Sequence, residues 1–233
     1  MRKCFVCFLV ILSIILSGVQ IVLAQDIDKI NSLLQKGTWK LTYHDTGMRW
    51  RGLEFYTFQN TTVVDVEYYD RLLYREDETS MLYQVYSTNT IRFVCPELFA
   101  PFPENFKAEI VKLSEKALIL KVGKGLDVFL REDVKPEPPP ANLKKCWHGS
   151  GVDKGKKIEA KLCFHTDKVE LFGKKEKTSL FKVGDFPFRF FNLGTPSLVE
   201  VDLGEKYGTS HFLLYPKKIV EESGTIYFPT PVK

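Results

Sequence analysis

Apolar and polar residues alternate along most of this chain with a period of two, the signature of half-buried β-strands. From Gly37 onward the segments TWKLTYH, WRGLEFYTF, TTVVDVEYY, RLLYRE, MLYQVYS, TIRFV, FKAEIVKL, KALILKV and LDVFLR carry the pattern. Turn chemistry separates several of them, at Gln59-Asn60, Glu76-Asp77-Glu78, Ser114-Glu115 and Gly123-Lys124-Gly125. Just before these strands, Ile27, Ile30, Leu33 and Leu34 recur at helical spacing and predict a short amphipathic helix over 26–36. Eight or nine short strands joined by tight turns predict an all-β antiparallel meander that closes into a barrel, which also removes exposed edges.

The alternation breaks at Val134–Ala141, where Pro136, Pro138, Pro139 and Pro140 favour an extended spacer. This predicts a first domain over 26–132, a linker over 133–141 and a second domain over 142–233. In the second, IEAKLCFH, KVELFG, TSLFKV, FPFRFFN, SLVEVDL, HFLLYP and TIYFPT resume the alternation, so a smaller all-β barrel or sandwich is expected. The halves share a sparse likeness. FQNTTVVDV and FHTDKVELF both read Phe-x4-Val, and a Trp precedes each Phe by 19 and 17 residues.

The first residues follow a different pattern. Arg2 and Lys3 precede an uncharged apolar run, and Val22-Leu23-Ala24 stands before Gln25, as in a secretory signal peptide over 1–24; a retained membrane anchor is the other reading. An exported protein, secreted or periplasmic, is expected, touching a membrane only through an uncleaved signal segment. Cleavage takes the 33 basic side chains to 31, against 29 acidic, and the five cysteines to three. Such a balance gives no reason to expect nucleic acid as a partner. With 13% aromatic residues, many in alternating runs, the mature chain is expected to fold as β-structure.

Gly37-Thr38-Trp39, following the short helix and opening the first strand, resembles the Gly-x-Trp signature of lipocalin and lipocalin-like barrels. The resemblance covers 26–133 and is closest to a divergent, bacterial-type member. It implies that Trp39 closes one end of the barrel beside an Arg from the last strand, the place of Arg131. It also implies a cup for one small, largely apolar ligand. Phe55, Tyr68, Tyr83 and Phe93 are the candidate liners, and Leu98, Phe99 and Phe102, in the long Pro96–Phe106 connection, a candidate lid. The same aromatics could instead fill a solid core.

No nucleophile elbow, phosphate loop, dinucleotide fingerprint or HExxH helix occurs, so neither an enzyme nor a cofactor is expected. Gly149-Ser150-Gly151 reads as a flexible turn. Asp65 with Glu67, and Glu200 with Asp202, read as solvated pairs, each on one face of a strand. Cys146-Trp147-His148 and Cys163-Phe164-His165 form two Cys-x-His units. In an oxidising compartment they predict a Cys146–Cys163 disulfide across a hairpin; the alternative is a metal set of Cys146, His148, Cys163 and His165. Cys95 is left over. Two functions follow: a binding protein for a small apolar ligand, or a cell-envelope interaction protein with a filled barrel and protein-binding aromatic surfaces such as FPFRFFN.

Overall fold

A computed structural model describes residues 26–44, 53–69, 75–94, 105–153, 156–174, 179–205 and 207–230. The signal segment, Cys95 and the candidate lid residues Leu98, Phe99 and Phe102 lie outside them. Helix α1 covers 26–34 and packs Ile27, Ile30 and Leu34 onto the first core. Eight strands follow: β1 (Thr38–His44), β2 (Leu53–Gln59), β3 (Thr62–Tyr69), β4 (Arg75–Ser87), β5 (Thr90–Val94), β6 (Asn105–Leu113), β7 (Ala117–Val122) and β8 (Gly125–Arg131). Each pairs antiparallel with the next, and β8 returns to β1 to close the barrel. Glu76-Asp77-Glu78 corrects one expected turn. These residues sit inside β4, paired with Tyr68, Glu67 and Val66, because the partner strand satisfies their backbone groups whatever their side chains prefer.

A second closed barrel of the same kind follows. Its strands are β9 (Cys146–Asp153), β10 (Lys156–Phe164), β11 (Lys168–Gly173), β12 (Phe181–Phe191), β13 (Ser197–Asp202), β14 (Thr209–Leu214), β15 (Ile219–Glu221) and β16 (Ile226–Pro229). The sparse internal likeness has a structural counterpart. Trp39 and Trp147 stand near the start of the first strand of each barrel, both fully buried. Each indole Nε1 donates to the carbonyl of a buried Leu just upstream, Leu34 at 2.8 Å and Leu143 at 3.2 Å. Phe58 pairs with Val63 across the second and third strands of one barrel, as Phe164 pairs with Val169 in the other. Closure is equivalent too: Glu132 N–H donates to Thr38 O, and Thr230 N–H to Cys146 O, both at 3.0 Å.

The barrels pack side by side. Tyr43, Ala117, Ile119, Val128 and Leu130 of the first share one buried cluster with Phe191, Leu193, Leu198 and Leu213 of the second. The proline segment is pinned beside this seam. Val134 packs on the cluster, Glu137 N–H donates to Phe190 O at 2.7 Å, and the Glu137 carboxylate holds Lys116 Nζ at 2.5 Å. The Lys112 ammonium donates across to the Leu193 carbonyl.

Polar groups border the seam as well. Glu200 is 4% exposed, which corrects its reading as solvated: the strand face it shares is covered. Arg189 Nη2 lies 2.7 Å from Glu200, while His211 stands 3.6 Å from Glu200 and 3.0 Å from Glu222. Burial opposes the charged form of Glu200, but the cations His211, Arg189 and Lys40 overcome it and hold the carboxyl below its usual range. His211 is likewise opposed by burial, and the two carboxylates outweigh that and raise its pKa.

Candidate functional site

The inward faces of β10, β11, β13, β14, β15 and β16 enclose a cavity of about 500 Å³ in the second barrel. Alternation builds its wall: Leu162, Val169, Leu171, Val201 and Phe212 all point inward from their strands. Trp147 and Leu143 are buried in the core cluster of the same barrel. Lys174, Leu203 and Ser223 form a partly exposed rim, where Lys174 Nζ pairs with Glu159 at 3.0 Å. The volume falls within the range of small-molecule sites.

One wall residue breaks the apolar rule. Ile219 and Glu221 are two apart on β15 and share its inward face, so parity sends a carboxylate where an apolar side chain would be expected. Glu221 is 6% exposed. Ser210 Oγ donates to its Oε1 and Tyr227 Oη to its Oε2, both at 3.0 Å. These hydroxyls fix the plane of the carboxyl group and offset part of its desolvation.

Tyr227 is itself placed by a glycine. Gly149 pairs with Tyr227 across β9 and β16, and a Cβ there would stand 2.4 Å from the Tyr227 ring. Gly149-Ser150-Gly151 is therefore a strand segment rather than the expected flexible turn, with its glycine at a close side-chain approach. Sequence reasoning missed Ser210, Glu221 and Tyr227. The available signal was the parity of Ile219-Val220-Glu221.

The first barrel holds the residues singled out from sequence. Gly37 adopts φ +144°, and the Arg131 stem lies 3.5 Å from where its Cβ would be. Trp39 pairs directly with Arg131 across β1 and β8. The Arg131 guanidinium donates to Asp133 at 2.7 and 3.1 Å and to Glu115 at 3.2 Å. Phe55 is a correction. It pairs with Lys40 while Tyr56 pairs with inward-facing Trp39, so Phe55 takes the outer face and Tyr56 the inner one. Tyr83 and Phe93 face inward and pack with Tyr56 and Phe58. The Tyr83 hydroxyl accepts from Gln35 at 2.9 Å, and burial pushes this phenol above its ordinary range against that bond. Tyr68 pairs with Leu53 in β3; its side chain lies outside the described residues.

Cys146 and Cys163 face each other across β9 and β10 and are joined as a disulfide, which fits an oxidising compartment. This corrects the metal alternative, because both thiolates are consumed. His148 is exposed, and His165 lies 3.3 Å from Glu170. Among the described residues no group of His, Cys, Asp and Glu is arranged to hold a metal. FPFRFFN is also corrected as an exposed aromatic surface. Phe186, Phe188 and Phe190 pack toward the barrel core and Phe191 into the seam, because the alternation of β12 turns them onto these two faces.

No family model and no curated protein matches the chain. Among solved structures it is similar to a lipocalin-like protein from Bacteroides uniformis ATCC 8492, at 14% identity, covering 42% of this chain and 97% of that one with a TM-score of 0.36. The chain itself folds as two closed eight-stranded antiparallel barrels, each running up and down in sequence order.

Proposed function

We propose that this is an exported, non-enzymatic binding protein that holds a small, largely apolar molecule in its second barrel. The observation that carries the reading is the cavity of about 500 Å³, walled by Leu162, Val169, Leu171, Val201 and Phe212. Apolar pockets with few polar groups bind by burying most of a ligand's surface. The first barrel supports the second through the seam. Calorimetric titration of the mature protein with 1-octanol tests the reading. Saturable binding is expected, and Ala160→Trp, which fills the lumen, should abolish it. Absence of binding to the unsubstituted protein would reject the proposal. Intact-mass measurement of the naturally produced protein should find a chain beginning near Gln25.

A further inference from the structure

We infer that His211 and Glu222, on the outer face of the second barrel, regulate its cavity: the ligand is bound more tightly while the His211 ring is a cation. This rests on the binding reading above. Alternation couples the two faces. On β14, Ser210 and Phe212 line the cavity, and His211 between them points outward. At the end of β15, Glu221 faces the cavity, while Glu222 turns out to the His211 ring. The chain then folds back at once. Gly224 N–H donates to Glu221 O at 2.8 Å, Glu221 N–H to Thr225 O at 2.9 Å, and Glu222 N–H to His211 O at 3.2 Å. Ser223 and Thr225, on this turn, line the cavity beside Glu221. A displacement of Glu222 therefore reaches the cavity wall through its immediate neighbours.

The ring is set between two carboxylates. Its Nδ1 lies 3.0 Å from Glu222 Oε2 and its Nε2 3.6 Å from Glu200 Oε1. A neutral imidazole has a single N–H, so only the imidazolium donates toward both. The two acids are not equally supported. Glu200 on β13 also has Arg189 of β12 at 2.7 Å and is acted on by Lys40 of β1, while Asp202, on the same face of β13, is exposed. Glu222 is 1% exposed, and among the described residues His211 is the cation that faces it. Its Oε1 accepts no hydrogen bond there. When the ring loses its proton, a buried carboxylate stays behind without an opposite charge, which is costly. Glu222 relieves that cost by swinging toward water, and the turn from Glu221 to Thr225 moves with it. Burial works against the charged ring, but Glu200 and Glu222 outweigh it, so the change falls above the ordinary imidazole value of about 6.5.

The test is calorimetric titration of the full mature protein with 1-octanol from about pH 6 to about pH 9, beside Glu222→Gln and His211→Gln. Affinity of the unsubstituted protein should fall about tenfold over that range, as for a ligand coupled to one titrating group. Glu222→Gln carries no charge to compensate, so it should bind at every pH as tightly as the unsubstituted protein does at the acid end. His211→Gln should bind throughout at the weaker, alkaline level. Reciprocity requires octanol to raise the proton affinity of His211 by the same factor, read from its ring proton shifts in a titration by NMR. That measurement uses the unsubstituted protein and decides even if neither variant folds: coincident midpoints with and without octanol would overturn the inference. A pH-independent affinity that Ala160→Trp abolishes would overturn it too, and would leave the binding reading intact. A fall that persists in Glu222→Gln would assign the effect to another group and reject the coupling. Absence of octanol binding at every pH would reject both readings.

Discussion

At the scale of single residues, the cavity depends on an absent side chain. A methyl group at Gly149 must displace the Tyr227 ring, and Tyr227 is one of two hydroxyl donors to Glu221. Gly149→Ala should therefore destabilise the protein by ~1–3 kcal/mol, the usual cost of overpacking, as read by chemical denaturation. The two tryptophans make the opposite kind of prediction. Trp39→Ala and Trp147→Ala should each cost ~3–5 kcal/mol, because each removes a fully buried plug and leaves a buried Leu carbonyl without its donor. A near-neutral effect at either position would contradict the closure role. Parity at single positions was also what the sequence left hardest to read. Phe55 and Tyr56 are adjacent aromatics, and only the pairing of Tyr56 with Trp39 settles which one enters the barrel.

Individual strands show what alternation reveals and what it conceals. The turns at Gln59-Asn60, Ser114-Glu115 and Gly123-Lys124-Gly125 and most of the strands were legible, since tight turns and period-two patterns are local. The seam was not, although it left a trace. β7 opens with Ala117–Leu120 all buried, and β13 is buried from Ser197 to Val201, because their outer faces also pack. Continuous apolar runs of this kind mark strands covered on both sides, whereas KVELFG and TIRFV alternate. The β9–β10 hairpin carries the disulfide, and its reduction should lower stability by ~3 kcal/mol on the chain-entropy account, measured by denaturation with and without reductant.

His211 on β14 gives the seam a pH dependence. Its folded pKa is raised above its unfolded value, so its contribution is fully present below the unfolded pKa of ~6.5 and is lost as pH rises through the folded value. Arg189 and Lys40 would then remain as cations acting on Glu200. Glu200, depressed in the folded state, acts in the opposite direction and loses its contribution as pH falls through its folded pKa. Melting temperature should fall as pH rises from about 6.5 through the folded pKa of His211 in the unsubstituted protein, and His211→Gln should flatten that slope.

Taken whole, the molecule is two barrels with equivalent buried tryptophans. The sequence placed the ligand in the first barrel because the Gly-x-Trp resemblance lies there, whereas the cavity described above lies in the second. The second barrel offered no such motif. Its cavity arises from how the inward faces of several strands meet, with the three-residue β15 and its Glu221 as a local hint. Shared burial across the seam should make unfolding a single transition by calorimetry, with fluorescence and circular dichroism coincident.

The pinned proline segment also bears on how the chain can be divided. Cutting between 134 and 141 leaves each half with a stripe of aliphatic and aromatic side chains, Ile119 and Val128 on one, Phe191, Leu198 and Leu213 on the other, facing water. Produced alone, either half should self-associate through that stripe. Produced together from separate reading frames, they should find each other and recover one soluble particle, held without any covalent link.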